Sequence, residues 1–159
     1  MNRNLTLTLA ATLATLVAAM TGTARADHSA ANVQTVYAHL NADQQVPSPD
    51  GAPTGSRGTF SGTYNGRTRT LTWRLQWVRV SEPTTEASIH YGRTGRTGAT
   101  ALLLCKHCMS PANGHTKLTP GLARAILQPQ GEGLAYVTIA TERNPQGEIR
   151  GEIAERCPC

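Results

Sequence analysis

One C-terminal stretch constrains this chain more than any other. Leu134 to Thr141 is followed by Asn144-Pro145-Gln146-Gly147-Glu148-Ile149-Arg150-Gly151-Glu152-Ile153. Tyr136, Thr138 and Ala140 alternate with Val137, Ile139 and Thr141, the two-residue period of a strand. Asn-Pro-Gln-Gly places Pro and Gly where a tight turn needs them. Beyond it, Ile149 and Ile153 share one face, while Glu148, Arg150 and Glu152 share the other. The spacing predicts a β-hairpin with one face in a core. A salt-bridged surface row accounts for the three charged residues more simply than paired catalytic carboxylates do. Within it Arg150 is expected to be partly buried and structural, paired with Glu148 or Glu86.

Upstream, the same grammar repeats. Val33 to Leu40 reads as a first strand, and the Pro/Gly-rich residues up to Pro53 as a loop. Gly58 to Tyr64 is a second strand, with Asn65-Gly66 predicting a type I′ hairpin turn. Leu71, Trp73, Leu75 and Trp77 fall on one face of the next strand, which makes both Trp core residues, an exposed binding platform being the alternative. Val78 and Val80 change the phase and suggest a bulge near Trp77–Val78. Thr85 to Tyr91 and Ala99 to Leu104 are further strands, separated by a loop with glycine at 92, 95 and 98. That loop is not a phosphate cradle, since no Gly-Lys-Ser/Thr and no helix pattern follow it. Cys105 to His115 reads as a loop. Leu118 to Leu127 is the helical candidate, with Thr119 as N-cap and Pro120 in the first turn. Short strands with turns between them and one short helix predict an all-β, antiparallel β-sandwich or barrel.

The first 26 residues stand apart. Arg3 precedes an apolar, Thr-interrupted run from Leu5 to Met20, and Ala24-Arg25-Ala26 is a small-x-small cleavage site. That order predicts a signal peptide cut after Ala26, hence a periplasmic or secreted protein with no membrane segment after cleavage. The single domain, residues 27–159, is long enough for a core. Loss of Arg3 and Arg25 lowers the formal charge from +5 to +3. The arginines between 57 and 96 then mark a solvated basic face. Too few aromatics interleave with them to stack nucleic-acid bases, so a nucleic-acid partner is not expected.

The order of motifs is similar to a known family. Leu40-x-x-x-Gln44-Gln45-Val46-Pro47, Gly55-x-x-Gly58-x-Phe60, Leu71-x-Trp73-x-Leu75, Ile89-His90-x-Gly92, Tyr136-Val137 and Asn144-Pro145-x-Gly147-Glu148-Ile149-Arg150-Gly151 resemble the CHRD domain, first named in chordin. The resemblance spans about Val33 to Ile153. It implies an immunoglobulin-like or superoxide-dismutase-like β-sandwich and says little about activity. CHRD domains typically carry His-x-His before the Gly-rich loop and a further His in the penultimate strand. Here Ser88 and Ala140 stand at two of those places and only His90 remains, so that site is not carried over, and His90 reads as structural.

Chemistry is concentrated elsewhere, in Cys105, His107, Cys108, Met109 and His115 of one loop, with Cys157 and Cys159 at the end of the chain. Three readings are open. Four Cys in an exported chain suit two disulfides, and pairing each loop Cys with a tail Cys meets the usual Cα separation more easily than pairing close neighbours. Thiolates, imidazoles and a thioether also suit a soft metal ion, copper above all because of Met109, with zinc the other ion the set fits and Asp27-His28 a weaker addition. Thiol–disulfide exchange through Cys105-Lys106-His107-Cys108 is the third, but the βαβ context of redox motifs is missing. No nucleophile elbow, zinc-protease motif or carboxylate pair occurs. The sequence therefore predicts an exported binding module and not an enzyme. It binds copper through the Cys/His/Met loop and Cys tail, or else it is a disulfide-stapled module for a protein or envelope ligand.

Overall fold

The computed structural model describes residues 33–81, 83–129 and 133–155. The expected signal segment, Asp27, His28, Cys157 and Cys159 lie outside the described residues. Eight strands and one helix follow in order: β1 (Val33–Asn41), β2 (Arg57–Asn65), β3 (Thr70–Val78), β4 (Thr84–Tyr91), β5 (Thr100–Lys106), β6 (Ala112–Lys117), α1 (Pro120–Ile126), β7 (Ala135–Thr141) and β8 (Ile149–Glu152). All neighbouring pairs are antiparallel. They form one sheet in the order β5-β4-β7-β8-β1-β2-β3-β6.

That sheet is folded over on itself. At its middle, β8 meets β1 through the pair Asn41 and Arg150 and an isolated bridge between Tyr37 and Ala154. The two edge strands, β5 and β6, are successive in the chain, joined by residues 107–111, so the open edges lie within a short loop's reach of each other. Inward side chains from both halves form one hydrophobic cluster, among them Val36, Phe60, Leu71, Leu75, Ile89, Val137 and Ile149. Burying such side chains contributes about 1.5–3 kcal/mol each. Leu122, Ala125 and Ile126 of α1 join the cluster; Thr119 Oγ1 caps the helix by accepting from Leu122 N–H at 3.2 Å, and Pro120 opens it. The all-β, sandwich-like expectation and the short capped helix are both found.

Four local expectations are corrected. Asn65-Gly66 does not make a two-residue type I′ turn. Asn65 faces Thr70 in the ladder, so four residues form the loop. Asn65 Oδ1 accepts from the N–H groups of Arg67 and Thr68, and Arg69, not Gly66, takes the left-handed backbone (φ 57°). The Asn side chain supplies the turn's hydrogen bonds and so selects a longer loop. The phase change after Trp77 arises at Arg79 (φ 56°), beyond the end of β3, where it leaves Val78 exposed and turns Val80 inward. Both Trp side chains are buried, 6 % and 4 % exposed. The third correction is a missed strand. Ala112–Lys117 pairs with β3, so His115, opposite Thr72, stands on β6 and not in the Cys loop. Its Asn, Gly and Lys carry little strand propensity; the ladder to β3 supplies the strand. The fourth concerns the hairpin. Glu148 and Arg150 are fully buried, so the charged face of β8 is not a surface row.

Candidate binding surface

Three places in the described structure carry chemistry. The first is the β5–β6 connection. Cys105 and Cys108 are joined by a disulfide with their Cα atoms 5.9 Å apart. The expectation that each would reach more easily to a tail Cys is corrected: His107, at φ 47°, turns the chain back on itself and brings the two Cα atoms within the normal range. Ser110 Oγ accepts from Trp77 N–H at 2.8 Å and ties the loop to the end of β3. His107 is exposed and Met109 is 85 % exposed. The bond takes both sulfurs out of the thiolate state that ligation requires. No group of three or more His, Cys, Asp or Glu side chains among the described residues is placed to hold a metal ion. His115 stands apart on β6.

The second place is the outer face of β4, β7 and β8, where Ser88 faces Thr138, His90 faces Tyr136, and Thr138 faces Arg150. The Arg150 guanidinium lies 3.5 Å from the Tyr136 ring centre, and the His90 ring stacks on Tyr136 at 5.1 Å. Arg150 donates to Arg96 O at 2.8 Å, to Arg93 O at 3.1 Å and to Glu152 Oε1 at 2.7 Å. Its partner is Glu152, not Glu148 or Glu86. His90 Nδ1 is 3.1 Å from Gly98 O. That carbonyl can only accept, so Nδ1 carries the proton, and Nε2, 3.0 Å from Ser88 Oγ, is engaged as well. With both ring nitrogens occupied, His90 is the structural histidine its sequence context predicts. The segment from Gly92 to Gly98 thus lies over this face as a lid.

The same face continues to Glu148. Glu148 Oε1 accepts from Ser81 N–H at 2.6 Å, and Oε2 accepts from Thr141 Oγ1 at 2.8 Å and Asn144 Nδ2 at 3.0 Å. Burial raises its pKa, but these hydrogen bonds together outweigh burial and hold it below the ordinary value of 4.5. For Glu152 burial prevails over the attraction of Arg150, and its pKa is raised. Gly147, at φ 119°, sits where a Cβ would run into Thr138 Oγ1 and the Gln45 amide. Gln45 in turn donates to Gln146 O at 3.1 Å. The hairpin motif is therefore a buried polar latch. Sequence reasoning missed it because a strand that is covered by loops on its second face shows the same alternation as one that is bare.

The third place is the outer face of β1, β2, β3 and β6. Paired rows cross it: Thr35, Thr63, Thr72 and His115; Tyr37, Ser61, Arg74 and Asn113; His39, Thr59 and Gln76; Asn41, Arg57 and Val78. Most of these side chains are exposed. At the end nearest Arg57, the segment from Ala52 to Gly55 and Asp43 stand beside the last two rows and enclose an open cleft of about 860 Å³, with His39, Thr59, Gln76 and Val78 in its lining. It is an open, concave surface with polar groups set among apolar ones. The only sign of it in the sequence is the run of Thr, Ser, Arg and Gln at alternate positions.

A family model for the CHRD domain matches residues 36–153, well over half of the chain. The chain belongs to the CHRD-domain family. No curated protein and no solved structure matches it. The matched region of this CHRD domain runs from β1 through β8, and so includes both the sealed latch and the open face. The first and third of the histidine places that the resemblance implies are held by Ser88, which engages His90, and by buried Ala140, which faces Glu86. No helix among the described residues is long and apolar enough to cross a membrane.

Proposed function

We propose that this CHRD domain is an exported, disulfide-stabilised binding module, not an enzyme, that takes a ligand of the cell envelope or extracellular space on its open face. The cleft between the Ala52–Gly55 segment and the outer face of β1-β2-β3 carries this reading. It offers amide, hydroxyl and imidazole groups at fixed spacing on a rigid sheet, the arrangement that binding by orientation and not by chemistry requires. The membership of the CHRD family supports a binding role, and the Cys105–Cys108 bond suits an oxidising compartment. The test is retention of the purified mature protein on isolated envelope material. Thr59→Trp and Gln76→Trp, which fill the cleft from exposed positions, should abolish retention while leaving the circular dichroism spectrum unchanged. Retention unaffected by both variants, or no retention of the parent protein, would sink the reading.

A soft-metal, copper-binding function is a second reading. In its favour, Met109 leaves its thioether almost wholly in solvent beside His107, where it serves no core. It requires Cys105 and Cys108 to be reduced and to act with His107, Met109, Cys157 or Cys159. Mass spectrometry after alkylation without reductant separates the two. Two intact disulfides and no metal exclude copper, whereas four alkylated thiols with bound copper exclude the disulfide module.

A further inference from the structure

We infer that the open face takes an anionic polysaccharide, a polymer of sugar units bearing carboxylates; this rests on the binding-module reading and names its ligand class. Strands β1, β2, β3 and β6 contain no Asp or Glu at any position. Their exposed face holds Arg57, Arg74 and Lys117. The ladder register sets these three on one diagonal: Arg57 opposite Val78, Arg74 opposite Ser61, and Lys117 opposite Thr70. Each step is four residues along the strands and one strand across. At about 3.4 Å per residue and about 4.8 Å per strand, that is roughly 14 Å per step. The diagonal starts at the cleft and crosses three of the four strands, β2, β3 and β6.

Between the cations lie hydroxyl and amide side chains, Thr59, Ser61, Thr72, Gln76 and Asn113, matched to the hydroxyl groups of sugars. Guanidinium groups pair with carboxylates in a planar, two-bond fashion. Two other polyanionic partners fit less well. Among the strand positions that share this face Tyr37 is the one Phe, Tyr or Trp, too few large rings for the stacking on which single-stranded nucleic acid depends. A membrane surface would call for a continuous apolar patch, but the exposed apolar side chains here, Val33 and Val78, stand at opposite ends of the face. Asp43, at the rim of the cleft, is the carboxylate that lines it. It leaves the diagonal beyond Arg57 wholly cationic.

Affinity electrophoresis and calorimetry of the mature protein with polygalacturonate test this, with neutral dextran and single-stranded DNA as comparison polymers. The expected result is binding to polygalacturonate that weakens with salt, and none to dextran. Arg57→Ser/Arg74→Ser/Lys117→Ser should lower the affinity about tenfold or more, a sum of three surface ion pairs. Arg124→Ser removes a charge from an exposed position on α1, and should leave it unchanged. Equal loss in both variants, or equally tight binding of DNA through the same three cations, would overturn the assignment. If polygalacturonate is not bound while envelope material is still retained through the cleft, the polymer class fails and the module reading stands. If neither is bound, both fail.

Discussion

The outer faces of the two half-sheets are written in the same alternating pattern, yet one is closed and the other is bare. On β4, β7 and β8 the outward residues Ser88, Tyr136, Thr138 and Arg150 are buried beneath the Gly92–Gly98 segment and Gln45. On β1, β2 and β3 the residues at equivalent parity stay in solvent and line a cleft. Loop placement makes the difference. A loop that crosses a sheet face must satisfy its own backbone groups, and Arg150 does so for Arg93 and Arg96, whose carbonyls it binds. Among the described residues, no outward side chain of β1, β2, β3 or β6 is buried. A polar side chain under a loop holds the fold, and one without a loop stays in solvent.

Removing the donor tests the contrast most severely. Arg150→Ala strands two carbonyls and Glu152 beneath the lid, and should cost about 3–5 kcal/mol of unfolding free energy in urea titrations. A loss below 1 kcal/mol would mean that the lid is held by something other than the guanidinium.

Next in size is Glu148→Gln, which should cost about 2 kcal/mol at neutral pH, since an amide keeps only part of the acceptor set. Because the folded pKa of Glu148 lies below its ordinary value of 4.5, its stabilisation is present above that value and is lost as pH falls through the folded pKa. Glu152, raised on folding, acts oppositely: its contribution is present below its ordinary value and is lost as pH rises through the folded pKa. Acid melts of Glu148→Gln should therefore be flatter below pH 4.5 than those of the parent, and an unchanged acid limb would remove Glu148 from the latch.

Cys105→Ala/Cys108→Ala opens a very short loop, so by loop entropy it should cost about 2 kcal/mol or less, read as a modest fall in Tm. A larger loss would make the β5–β6 connection a principal fastening between the sheet edges. The smallest effects belong to the open face. Thr72→Ser and Gln76→Asn should each change stability by less than about 0.5 kcal/mol. A loss above 1.5 kcal/mol at either would show that this face is covered in the folded protein.

Much of this contrast was legible residue by residue, and its assembly was not. The strands carrying Leu71, Trp73, Leu75 and Trp77 and Val137 and Ile139 stood out because their inward side chains are apolar at period two. The helix start at Thr119-Pro120 was equally plain. β6 was hidden, since Asn113, Gly114 and His115 become a strand only by pairing with β3. The buried state of Glu148 and Arg150 was hidden for a related reason: of their partners, Ser81, Arg93 and Arg96 lie more than 50 residues away in the chain. For the Cys loop, the sequence named the residues but not the pairing. The backbone turn at His107 decided that.

The sequence by itself determined the CHRD pattern, the all-β class, the core side of most strands and the capped helix. Those follow from local periodicity and turn chemistry, which act within a few residues. Tertiary structure alone decided which polar face is sealed and which is open, because that depends on where loops distant in the chain come to rest. The terminal hairpin shows both. Its alternation marks two strands, while the lid over Arg150 turns its charged face from a surface into an interior.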